Sequence, residues 1–201
     1  MIGLRIALFI VALFTLFLVF YYVSSEKVWF KKYIWKFFRR KEISVSEFET
    51  FVYSLSSVLL RFSQEKVGAL IVIEKFQNLQ KYINSGYVVE SQFFSEFLYN
   101  IFLNKGSSMH DGGVIIRGLE IKSVSSYFPI YSHKNIPKEY GSRHRAALGI
   151  TSKTDAIALL VSESQGKILC SEAGEFIELD KENIDLLVES LTKVLNYLIT
   201  T

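Results

Sequence analysis

The chain has one cysteine, Cys170, and two prolines, Pro129 and Pro137, among its 201 residues. A lone cysteine excludes an internal disulfide and suits a reduced compartment. Both prolines fall in "PIYSHKNIPKEYG", which reads as loop. Several catalytic signatures are missing. There is no G-x-x-x-x-G-K-[ST] phosphate loop, no G-x-G-x-x-G and no G-x-S-x-G, and no Cys/His cluster has zinc spacing. Standard nucleotide hydrolases and dehydrogenases are therefore poorly supported. Basic excess is also lacking where nucleic acid would need it. The net charge is +3, but residues 1–41 hold eight basic residues and one acid, so the remainder carries about −4. Nucleic acid is not an expected partner.

What is present in excess is apolar residues, and they gather at the front. Ile6 to Val23, "IALFIVALFTLFLVFYYV", is an uncharged run of 18 residues in a chain of mean hydropathy +0.25. A membrane span needs roughly 17–25 such residues. A signal-peptide core is shorter and ends at small residues, whereas this run ends in "YYVSSEK". The expectation is a retained membrane anchor over 1–25. Only Arg5 precedes the run, and seven basic residues from Lys27 to Lys41 follow it. The body, 46–201, is then expected on the cytoplasmic face.

Between them, 26–45 includes "EKVWFKKYIWKFFRRK", aromatic and basic residues at near-helical spacing. It reads either as a helix lying in the membrane interface or as a dimerising extension of the anchor. The body begins with an amphipathic helix over 46–63, capped by Ser44 or Ser46. A buried strand over 67–75 follows, then loop over 76–89 and a helix over 91–103. A hairpin spans 113–118 and 120–128. "SRHRAALGIT" reads as a short helix with Ser142 as N-cap. Strands at 155–163, 166–172 and 175–180 precede a last helix capped by Asp180. Helices before, between and after these strands indicate one mixed α/β domain.

Two phrases carry chemistry. In "GSRHRAALGI" (141–150), Ser142 at a helix start leaves backbone N–H groups for an anion. Arg143 and Arg145 add forks that match phosphate oxygens, and His144 can donate to phosphate or carry a proton. In "MHDGGVIIRG" (109–118), Gly112 and Gly113 permit close backbone approach. His110 and Asp111 could hold a divalent metal or activate a hydroxyl. Ser162 and Glu163 end a strand, a position that commonly lines a site.

The order and separation of these phrases resemble the diadenylate cyclase domain, marked by Asp-Gly-Ala and, about 30 residues later, Arg-His-Arg. The likeness runs through roughly 67–175, including "GALIVIEK", "SSYFPI" and "TDAIALLVSESQG". With the single N-terminal run, the chain is similar to the one-pass membrane cyclases of the mycoplasma type. The resemblance implies a mixed central sheet flanked by helices. It also implies condensation of two ATP into cyclic di-AMP and two pyrophosphates across a face-to-face homodimer. In this sequence Asp111 would activate the attacking 3′-hydroxyl, with Gly112 and Gly113 completing its motif. Ser142, Arg143, His144, Arg145 and Ser162 would hold the phosphates, and Tyr127 would stack on adenine. His110, Asp111 and Glu163 would hold Mg2+ or Mn2+. Gly113 stands where the family usually has alanine, an exchange expected to be tolerated. Ser164 stands where a second acid is common. The alternative, a non-catalytic nucleotide-binding module signalling through its anchor, would have no need of Asp111.

Overall fold

A computed structural model describes residues 2–25, 43–132, 137 and 139–199. The chain divides into two units, Met1–Arg40 and Lys41–Thr201. In the first, helix α1 spans Ile2–Ser25. Its unbroken stretch of described side chains, Leu8–Val19, is 12 residues long and exposed throughout. Among the described residues, no helix is long and apolar enough to cross a membrane. Of the basic aromatic segment, residues 26–42 lie outside the described residues.

The second unit opens with α2 (Val45–Glu65). Ser44 caps it and accepts from the Glu47 N–H, while the Glu47 carboxylate accepts from the Ser44 N–H at 3.0 Å. This reciprocal box satisfies two donors at the helix start and decides between Ser44 and Ser46. Then come β1 (Ala69–Glu74), the single-turn α3 (Gln80–Ile83), β2 (Tyr87–Gln92) and α4 (Ser95–Leu103). A 3-10 turn, Ser108–His110, leads into the hairpin β3 (Gly113–Arg117) and β4 (Glu120–Ser126). After α5 (Ser142–Lys153) follow β5 (Ile157–Val161), β6 (Ile168–Glu172), β7 (Glu175–Glu178) and α6 (Ile184–Leu195).

The seven strands form one sheet, ordered β2-β4-β3-β1-β5-β6-β7. Only β1 and β3 run parallel, joined by the crossover that contains α3, β2 and α4. Alternation along β1 separates two cores. Ala69, Ile71 and Ile73 face α2, α4 and α6, whereas Leu70 and Val72 face α3 and α5. The central strands are apolar on both faces because helices cover both. Each fully buried Leu or Ile contributes about 1.5–3 kcal/mol. At the end of β1, the buried Glu74 carboxylate receives Arg117 Nε at 2.7 Å and the Leu79 N–H at 2.8 Å, so its charge is paired as burial demands.

Four local expectations are corrected. Residues 76–89 are not all loop. They contain α3 and the start of β2, an edge strand whose bulge places Glu90 at φ 53°. Gln92 accordingly ends β2, and α4 starts only at Ser95. The α6 cap is Asn183, whose side chain accepts from the Leu186 N–H; Asp180 instead accepts from the Glu182 N–H, two residues on. The cap of α5 is Gly141, in extended conformation, with Ser142 as the first helical residue.

Candidate active site

The two phrases meet over β1 and β3. Gly68 immediately precedes β1 and Gly113 opens β3, while the antiparallel β5 ends at Val161 opposite Ala69, so that Ser162 and Glu163 follow at the same end of the sheet. A Cβ built on Gly68 would lie 3.0 Å from Arg143 Nη1 and 3.3 Å from Glu163 Oε2. Gly68 is thus the floor on which the arginine and the carboxylate rest, a role the sequence reading did not assign.

Arg143 is half-buried. Its Nη2 donates to the His110 carbonyl at 2.7 Å, and its Nε is buried with no hydrogen-bond partner. Burial pulls its pKa below the ordinary arginine value, and the nearby charges of Glu163 and Asp111 oppose that shift. An orphaned guanidinium nitrogen in such a place is a costly group that an anion would satisfy. The first intrahelical bond of α5 runs from the Arg145 N–H to the Gly141 carbonyl at 3.2 Å. The N–H groups of Ser142, Arg143 and His144 precede that ladder, as at any helix start.

The three adjacent cationic residues do not converge. Neighbours on a helix point about 100° apart, and they diverge accordingly. Arg143 turns to His110, while the exposed Arg145 donates from Nε to the Tyr140 carbonyl at 3.2 Å. His144 stacks on Tyr140, with centroids 4.8 Å apart, and meets Phe176 edge-on at 6.0 Å. Burial lowers the His144 pKa below 6.5, with Glu139 opposing. The unfolded chain therefore takes up this proton near pH 6.5, while the folded chain resists it. Stability should fall as pH drops below about 6.5 toward the lower folded value. Thermal midpoints at pH 7.5 and 5.5 should differ less in His144→Gln than in the parent; an equal difference would contradict this assignment.

Asp111 is exposed and follows the 3-10 turn. His110 donates from Nδ1 to the Phe102 carbonyl at 2.7 Å, since a carbonyl can only accept. That bond directs the lone pair of the neutral ring to Nε2, the arrangement usual in metal-binding histidines. Glu163 is held below the usual carboxylate range, first by a hydrogen bond from Lys105 and then by the charges of Lys105, Arg143 and His110. Among the described residues, no group of three or more His, Cys, Asp or Glu could hold a metal ion. A two-donor set of His110 and Glu163 still fits an ion that takes few protein ligands and completes its shell with phosphates and water. Ser162 is buried, its hydroxyl 3.3 Å from that of Ser164. Tyr127 is 63% exposed, so it is not a core aromatic. Its N–H donates to Ser85 Oγ at 3.0 Å, which fixes the backbone beneath the ring.

The glycines are tightly enclosed. Gly112 has φ +67°, and a Cβ there would lie 2.4 Å from the Ser126 carbonyl oxygen. A Cβ on Gly113 would lie 2.8 Å from the Leu70 carbonyl oxygen and 2.9 Å from Phe128 Cε2. A methyl group added at either position would therefore force its neighbours to shift. Gly113→Ala should cost about 1–3 kcal/mol through overpacking. Adding Phe128→Leu should recover part of the loss by clearing one of these contacts. Thermal denaturation checks both, and an unchanged midpoint in Gly113→Ala would refute the packing argument.

Fold and site together define a mixed α/β domain with a cationic helix start set against carboxylates at strand ends. The chain belongs to the family described as DisA bacterial checkpoint controller nucleotide-binding, whose model matches residues 57–176. A protein named diadenylate cyclase from Mycoplasma pneumoniae is 51% identical over 126 residues, 63% of this chain. The match spans 62% of that relative's own length. The crystal structure of a double mutant of DacA from Staphylococcus aureus superposes with a TM-score of 0.68 at 33% identity. It covers 74% of this chain and 97% of that one. A Bacillus cereus structure described as a hypothetical membrane spanning protein gives 0.60 at 31% identity, covering 63% of this chain and 61% of its own.

Proposed function

We propose that this chain is a diadenylate cyclase, condensing two ATP molecules into cyclic di-AMP with release of two pyrophosphates. One observation carries the reading. Arg143 offers a half-buried, partly unpartnered guanidinium beside Asp111, at the first turn of a helix. Family membership and the name of the Mycoplasma relative support the same substrate class.

In this mechanism Arg143 grips the triphosphate, with the α5 N–H groups of Ser142 and its neighbours adding donors. Ser162, just past the end of β5, would add a hydroxyl donor, whereas His144 and Arg145, turned to Tyr140 on other faces of the turn, would not grip the same phosphates. Tyr127 presents its exposed ring to adenine. Asp111 takes the proton from the 3′-hydroxyl. That oxygen forms a bond to the α-phosphorus of the other ATP, and the bond to the pyrophosphate oxygen breaks. Positive charge at the start of α5 stabilises the departing pyrophosphate. Gly112 and Gly113 let the backbone pass close beneath Asp111. A divalent cation, Mg2+ or Mn2+, held by His110 and Glu163 beside Asp111, would neutralise triphosphate charge. Because each hydroxyl attacks the other nucleotide, a second copy of the chain must face the first.

Residues 6–23 would anchor the chain in the cell membrane with the catalytic body on the cytoplasmic face. The uncharged run, the exposed apolar side chains of Leu8–Val19 and the basic residues that follow support this placement. The full chain in detergent, given ATP and Mn2+ or Mg2+, should release one pyrophosphate per ATP consumed. Tight ATP binding with no pyrophosphate would instead favour the non-catalytic module.

A further inference from the structure

Lys105 lies in the turn that closes α4, where Asn104 Oδ1 accepts from the Gly106 N–H and the Lys105 N–H donates to the Leu103 carbonyl. The turn projects its ammonium across to β5, with Nζ 2.5 Å from Glu163 Oε1. The two side chains are 61% and 51% exposed, so the contact is a solvated ion pair and not a buried structural one. Glu163 stands between Ser162 and Ser164, so no second carboxylate shares that strand end. Its other neighbours on that side are held in place, Arg143 by the His110 carbonyl and the His110 ring by the Phe102 carbonyl. Lys105 is the cation that can leave.

We propose that Lys105 is the resident counter-ion of Glu163, and that a divalent cation must displace it to enter the site. Lys105 thereby sets the cation concentration at which the site fills. This rests on reading Glu163 as a metal ligand. An exposed pair of this kind is weak, so the displacement is reversible and its effect on affinity is about two- to fivefold. The mechanism has no other use for Lys105, and no motif in the sequence marks it.

The test is Mn2+ binding, read as free Mn2+ by electron paramagnetic resonance. It uses the full chain with an ATP analogue whose α,β-bridge is methylene, so that no turnover occurs. Lys105→Met should bind Mn2+ about two- to fivefold more tightly than the parent. Glu163→Gln should bind it at least about tenfold more weakly, as expected on losing a charged ligand. Unchanged or weaker binding by Lys105→Met, with Glu163→Gln impaired, would overturn the counter-ion role and leave the metal reading standing. Unchanged binding by Glu163→Gln would overturn the metal reading, and the inference with it.

Discussion

Asp111→Asn should lower cyclic di-AMP formation by at least about 100-fold, the usual cost of losing a positioned general base. ATP affinity should stay within several-fold, because the substitution keeps the shape of the side chain and leaves the phosphate contacts alone. The separation of effects follows from placement. Asp111 lies on the exposed lip ahead of β3, whereas the guanidinium that would hold phosphate comes from α5. Calorimetry with the methylene analogue reads affinity, and chromatography of the product reads turnover. Full activity in the variant would remove Asp111 from the chemistry. A large loss of affinity would make it a binding group instead.

Arg143→Ala should act in the opposite order. Removing a charge-assisted bidentate contact costs roughly 1.5–3 kcal/mol, about 10- to 150-fold in ATP affinity. Turnover at sub-saturating ATP should fall at least as far. Arg143→Lys should restore only part of the affinity, since an ammonium keeps the charge and loses the fork. Folding should be little affected, because the wild-type residue carries a buried nitrogen without a partner. Unchanged affinity for the analogue in Arg143→Ala would sink the clamp assignment.

Where sequence pattern and tertiary environment agree, the fold was legible in advance. The apolar stripe from Phe48 to Phe62 is α2, and "ALIVIE" is the buried central strand. Misreadings came where local signals are weak. β2 is a bulged edge strand with exposed alternate residues, so "YVVESQ" offers little hydrophobic pattern to distinguish it from loop. Asp180 and Asn183 are both good caps, and only the packing of Leu187, Leu191 and Leu195 on the core fixes which one begins α6.

The site shows the same division. His110, Asp111, Arg143 and Glu163 were all named from the sequence, and the fold brings them together. Reading Arg143, His144 and Arg145 as one cluster overlooked the turn of a helix, which spreads them over three faces. Gly68 and Lys105 went unnamed because their roles arise only from contacts across the fold: Gly68 beneath Arg143, and Lys105 opposite Glu163, 58 residues away.

Mass spectrometry of the products formed by the full chain in membrane vesicles, with ATP and Mn2+ or Mg2+, tests the central claim most directly. The account predicts cyclic di-AMP and pyrophosphate, with one dinucleotide formed for every two ATP consumed. ATP recovered intact, or ADP and phosphate in place of the cyclic dinucleotide, would contradict it.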